Sequence, residues 1–210
     1  MGECVFYLML PTDEVSAYRT LVIKTKLGID HTPPNKLKDW LKFLDLLPEI
    51  NLLQIPRHIL LPDVISTDQY GFCDSLEKAF GAVIYIFSEF IDGEVKTNLV
   101  CSESRVCPIK ALTILHLKLS AVFLLTSLVS RMIPIFKVLF NRIHMWSDSE
   151  VVLAWIRTLP ERLKTFVSNR VKVISSLCLD YDWRFIPSST NPSDIISSGT
   201  SDADLLMSSL

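Results

Sequence analysis

Tyr70-Gly71-Phe72-Cys73-Asp74-Ser75-Leu76-Glu77-Lys78-Ala79-Phe80-Gly81-Ala82-Val83-Ile84-Tyr85-Ile86-Phe87 is the stretch that decides the fold. Its two ends, 70–73 and 82–87, are rich in aromatic and β-branched side chains, as strands are. Between them Asp74, Ser75 and Gly81 interrupt the pattern as a connection would. Downstream, Asp92-Gly93 is a hairpin signal, because glycine accepts the positive φ such a turn demands. Three antiparallel strands are therefore expected over residues 69–107.

Beyond them the period changes. Residues 113–133 are rich in Leu, Val and Ala on most faces, which predicts a helix packed against a sheet on one side and helices on another. Residues 143–146 read as a brief buried strand. Ser149 opens a helix to Arg157, and 161–178 read as a second, with Leu163, Phe166, Val167, Val171, Ile174 and Leu177 in one stripe. Tyr181, Trp183 and Phe185 alternate with Asp182 and Arg184, so a two-faced strand is expected there, closed by Pro187. A short helix over 194–198 ends the pattern. The order is that of an α/β mixed sheet of five strands, three antiparallel and then parallel ones, with helices on both faces.

Upstream, Asp13 caps a candidate helix running to Leu27, and Gly28 with Thr32-Pro33-Pro34-Asn35 breaks it. From Lys36, apolar Leu37, Trp40, Leu41, Leu44 and Leu47 recur at helical spacing, and that amphipathic helix ends at Pro48. An extended piece follows at 55–61. The chain thus divides into an N-terminal helical extension or linker (1–62), a main domain (63–200) and a tail (201–210).

Composition bounds the rest. A chain of 210 residues, 49% of them hydrophobic, can bury the core of one domain plus an appendage. A formal net charge of −2 provides no global attraction for nucleic acid, so any such binding rests on a local basic patch. The five cysteines, Cys4, Cys73, Cys101, Cys107 and Cys178, lack close pairing and read as free thiols in a reducing compartment. Residues 1–10 lack a basic n-region and a small-residue cleavage site, so the expectation is an intracellular protein that is not secreted. The most apolar run, 119–140, is interrupted by Arg131, Pro134 and Lys137, and reads as a core helix, not a membrane span.

Asp74 follows the first strand, Asp148 lies at the carboxyl end of the 143–146 strand, and Asp194 begins the last helix. Ligands gather at the carboxyl ends of strands in α/β sheets, so these acids could converge on a divalent metal such as Mg²⁺. Each could equally cap a helix or fill a turn, and position alone does not decide.

Four stretches carry a resemblance: Gly71–Tyr85, Arg105–Ile114, Trp146–Ile156 and Ile186–Ser197. In this order they resemble the ribonuclease H region of Bel/Pao retrotransposon polyproteins, over roughly residues 36–210. The resemblance implies a ribonuclease H-like fold carrying an Asp, Glu, Asp, Asp cluster for two Mg²⁺ ions that hydrolyse the RNA of an RNA/DNA hybrid. It also implies fusion, in the parent element, to reverse transcriptase and integrase regions. Carried over by residue, Asp74 would bridge the metals, Asp148 would ligate one, and Asp194 would complete the set.

The Glu belongs to a Leu-Glu-Leu-Ser pattern that here reads Leu117-Lys118-Leu119-Ser120. An ammonium in that place removes a ligand and sets a like charge beside the metals. At 4 Å and an effective dielectric of 20, a unit-charge pair interacts by about 4 kcal/mol, so the sign reversal predicts severe impairment. Leu115, His116 and Ser198 depart from the family pattern too, and the chain stops at Leu210 before any integrase region. The expectation is a truncated copy with a degenerate site; the alternative is a non-catalytic relic, or a module that binds nucleic acid or protein.

Arg157, Arg162, Lys164, Arg170 and Lys172 stand against only Glu161, a stripe that could track phosphates or simply form a solvated face. His31, His58, His116 and His144 show no metal-ligand spacing. Trp146 and Trp155 read as core residues, and Ser147, Ser149 and Ser188 as caps and turns.

Overall fold

The computed structural model describes residues 58–108, 112–136, 138–178 and 181–198. The N-terminal helices expected over 13–27 and 36–47, the tail at 201–210, Cys4 and His31 all lie outside them.

Three long strands come first: β1 (Val64–Ser75), β2 (Ala79–Phe90) and β3 (Val95–Val106). They pair antiparallel, with Tyr70 opposite Tyr85 and Ile84 opposite Cys101. The β2–β3 turn carries the expected glycine, Gly93 at φ 82°, and Asp92 Oδ1 accepts from Glu94 N at 3.0 Å. Then follow α1 (Ile114–Phe136), β4 (Arg142–Ser147), α2 (Glu150–Arg157), α3 (Thr165–Leu177), β5 (Asp182–Phe185) and the short α4 (Asp194–Ser198). The sheet order is β3-β2-β1-β4-β5, with β1–β4 and β4–β5 parallel. That is the five-stranded mixed sheet expected.

Its two faces differ. Residues 67, 69, 71 and 73 of β1 point toward α1, where a Cβ added to Gly71 would meet Leu125 at 2.8 Å. Ala121, Val122, Leu125 and Val129 of α1 are wholly buried there with Ile84 and Met145. On the opposite face α4 closes over β1 and β2. It can do so because Gly81 has no side chain: a Cβ there would overlap Ile196 Cγ2.

The helix α1, 23 residues long, is apolar and long enough to cross a membrane by length and composition, but half of its most apolar window is buried inside the domain. Thr113 Oγ1 accepts from His116 N at 3.4 Å at its start. Three details depart from the sequence reading. The helix expected over 161–178 is a single 3₁₀ turn, Pro160–Arg162, followed by α3, because Pro160 starts the turn and the chain is extended at Leu163 and Lys164. Strands β1 and β2 are also several residues longer than the runs 70–73 and 82–87. Finally, Trp155 packs against the core, whereas half-buried Trp146 lies on the face away from α1, stacked on Phe72 at 6.3 Å. The side chains of Cys73, Cys107 and Cys178 are buried and that of Cys101 is half-buried.

Candidate functional site

The register puts Asp74 near the end of β1 and Asp148 just after β4, side by side because these strands pair in parallel through Cys73 and Ser147. Both side chains are nearly sealed, at 3% and 4% exposure. Ile186 N, donating to Ser147 O at 3.1 Å, carries the chain from β5 past Asp148. The polar segment 187–194 then folds back over β1. Asn191 Nδ2 donates to Cys73 O at 3.1 Å, and its Oδ1 accepts from Ser193 N and Ser193 Oγ at 3.1 and 2.7 Å. This clamp sets α4, and with it Asp194 and Ser197, beside Asp74.

From the other side comes α1. Leu117 and Leu119 are buried in the core, and His116 packs against Phe166 of α3 with ring centroids 4.4 Å apart and the rings tilted by 44°. Held by these neighbours, Lys118 extends its stem toward the strand ends. Its Nζ donates to Asp74 Oδ1 at 3.2 Å and to Asp148 Oδ2 in a still closer contact. Burial alone would lower the lysine's pKa. The hydrogen bond to Asp148 and the charges of both aspartates outweigh that, leaving it above the ordinary lysine value.

Two serines complete the arrangement. Ser197 Oγ donates to Asp74 Oδ2 at 2.5 Å, and Ser188 Oγ to Asp148 Oδ2 at 2.6 Å. Asp194 lies in the same field: burial, then the negative charge and hydrogen bond of Asp74, then Asp148, raise its carboxyl above the ordinary range, and Lys118 offsets only part. Cys73, enclosed by the same groups, is pushed far up, first by burial and then by the charges of Asp148 and Asp74. That disfavours the thiolate, the reactive form.

All four residues singled out from the sequence, Asp74, Lys118, Asp148 and Asp194, are thus brought to one place. Ser188, Ser197 and Asn191 were not foreseen as parts of it; the run of polar residues between β5 and α4 was the available signal. Among the described residues no group of three or more His, Cys, Asp or Glu side chains is arranged to hold a metal ion. The residues present do not fit the two Mg²⁺ ions that the resemblance implies, because the ammonium lies between the carboxylates that would share them.

The family model of the Pao retrotransposon-like RNaseH-like domain matches residues 18–149, more than half of the chain. The chain belongs to this family. No curated protein matches it. Solved structures similar to this Pao-type domain include RNase H1 from the halophilic archaeon Halobacterium salinarum NRC-1, at 16% identity over 63% of this chain and 94% of that one, with a TM-score of 0.38. LC11-RNase H1 in complex with RNA/DNA hybrid is 13% identical over 67% of this chain and 99% of its own, with a TM-score of 0.42. A foamy viral protease-reverse transcriptase in complex with RNA/DNA hybrid is 14% identical over 80% of this chain and 26% of that one, with a TM-score of 0.37.

The basic stripe of the Pao-type domain divides in two. Arg157 Nη2 donates to Trp183 O at 3.1 Å, and Arg170 lies 3.6 Å over the Phe166 ring, its pKa lowered by burial. Arg157, although exposed, thus ties α2 to β5, and Arg170 is held on α3. Arg162, Lys164 and Lys172 are exposed.

Proposed function

We propose that this chain is a retrotransposon RNase H-like domain whose ancestral reaction is hydrolysis of the RNA strand of RNA/DNA hybrids, and in which that hydrolysis is weakened or lost. Asp74, Asp148 and Asp194 are its candidate catalytic and metal positions, and residues 63–200 its extent. The observation that carries the reading is the placement of Lys118 Nζ between Asp74 and Asp148. Divalent metals need free oxygen ligands. Here an ammonium and two serine hydroxyls already engage both oxygens of Asp74 and Oδ2 of Asp148, leaving only Asp148 Oδ1 without a hydrogen-bond partner.

Nucleic acid remains the partner that best fits the family, with Arg162, Lys164 and Lys172 as the phosphate-facing cations and an intracellular setting. The second reading, a non-catalytic module, is favoured by the same closed ion pairs. Labelled RNA/DNA hybrid titrated at rising salt tests the partner. The log of affinity should fall linearly with log salt, with a slope of about −0.9 per phosphate neutralised. Binding indifferent to salt, or none, would remove nucleic acid and leave a protein partner.

A further inference from the structure

We infer that the Lys118 ammonium is the resident cation of this site: it replaces divalent metal as the counter-charge of Asp74 and Asp148, and so makes the folded domain independent of Mg²⁺. The inference deepens the reading of a disabled site and rests on it, but it concerns the stability of the fold and is read without nucleic acid.

Two carboxylates at 3% and 4% exposure, with a third beside them, are costly to keep ionised in a folded protein without a counter-charge. A nuclease of this kind would supply metal. This chain supplies an ammonium whose own side chain is only 19% exposed and whose donors reach both carboxylates. The lysine is not swung toward solvent. Its neighbours Leu117 and Leu119 are fixed in the core, and His116 packs against Phe166, so the stem leaves α1 in the direction of the acids.

The remaining geometry agrees with a permanent occupant. Ser197 satisfies the second oxygen of Asp74, and Ser188 shares Asp148 Oδ2 with the ammonium. These serines come from the segment 187–197, which the Asn191 clamp holds against β1. Carboxylates, hydroxyls and ammonium therefore form one polar network, in which Asp148 Oδ1 alone is buried without a hydrogen-bond partner, and such networks stand or fall with the satisfaction of their members. The same network gives the aspartates a role without metal: Asp74 and Asp148 pair with the lysine, Ser197 donates to Asp74, and these contacts tie β1, β4, α1 and α4 to one another.

The test is thermal melting of the full 210-residue chain in EDTA and in millimolar MgCl₂ or MnCl₂ at matched ionic strength, beside Lys118→Met and Lys118→Glu. Wild type should melt at the same temperature in both. In EDTA Lys118→Met should melt lower by roughly 6–20 °C, the loss expected when one partner of a buried pair is removed from a domain of this size. Divalent cation should raise the Tm of both variants by several degrees, because binding to the folded state alone shifts the equilibrium. A wild-type Tm that rises with Mg²⁺ or Mn²⁺ as much as the variants' would overturn the inference. So would a Lys118→Met chain that melts like wild type in EDTA or gains nothing from divalent cation. If Lys118→Glu does not fold in EDTA, the melts of wild type and Lys118→Met decide by themselves. Loss of hybrid binding changes none of these melts, so the two readings fail separately.

Discussion

Gly81 lies directly beneath Ile196, so close that any side chain at residue 81 would overlap the isoleucine. This contact lets α4 rest on β2 and places Ser197 within hydrogen-bond reach of Asp74, so a packing relationship outside the acids helps to assemble them.

Gly81→Ala should therefore destabilise the domain by about 1–3 kcal/mol, as overpacking does. Urea melts check the value. In a Gly81→Ala/Ile196→Ala double variant the cost should be smaller than the sum of the single costs, since the smaller side chain at 196 makes room for the new methyl. Additive costs would show that the two residues do not press on each other.

Thiol chemistry reports on the same core. Burial raises Cys178 to about 11 and Cys73 well beyond the ordinary thiol range, and Cys107 is 5% exposed. Thiolate is the reactive form. In the native protein iodoacetamide at mildly alkaline pH should label half-buried Cys101 well before Cys73, Cys107 and Cys178. Peptide mapping of the labelled chain checks the order, and urea should abolish the difference. Rapid native labelling of Cys73 would mean that the strand ends open readily.

At the far edge of the sheet Asp182 is held below the ordinary carboxylate range, first by its hydrogen bond from Arg184 at 2.6 Å, against a smaller opposing effect of burial. A depressed folded pKa adds stability above the unfolded value, and that stability is lost as pH falls through the folded one. Asp182→Asn should thus lower Tm slightly at neutral pH, with the gap closing in acid. Asp182 is about half exposed, so solvent screening keeps the effect under about 1 kcal/mol. A gap that widens in acid would reverse the sign and refute the assignment.

The sheet was legible from the sequence because aromatic and β-branched runs over 70–73 and 82–87 sit in the middle of their strands. Strand ends were not. Thr67 and Gln69 point into the interior beside Ser88, so buried polar residues mask the start of β1 where alternation should have revealed it. Pro160 was visible, yet the helical stripe running through Leu163 hid the interruption that the extended Leu163 and Lys164 impose. At the site the acids could be read from their positions at element ends, and the lysine from its place in a four-residue pattern. Ser188 and Ser197 could not. They lie 40 and 123 residues from the aspartates they serve, and only the folded chain brings them together. Likewise, no local signal tells that Arg157 reaches Trp183 O of β5 and that Arg170 lies over Phe166, while Arg162, Lys164 and Lys172 are exposed.

Cleavage of a labelled RNA/DNA hybrid with Mg²⁺ or Mn²⁺, by wild type, Lys118→Glu and Lys118→Glu/Asp148→Asn side by side, tests the disabling role of Lys118 most directly. The predicted result is little or no cleavage by wild type, a gain of at least tenfold for Lys118→Glu, worth about 1.4 kcal/mol in the barrier, and loss of that gain in the double variant. Wild-type cleavage as fast as that of Lys118→Glu, or a gain that survives Asp148→Asn, would contradict it.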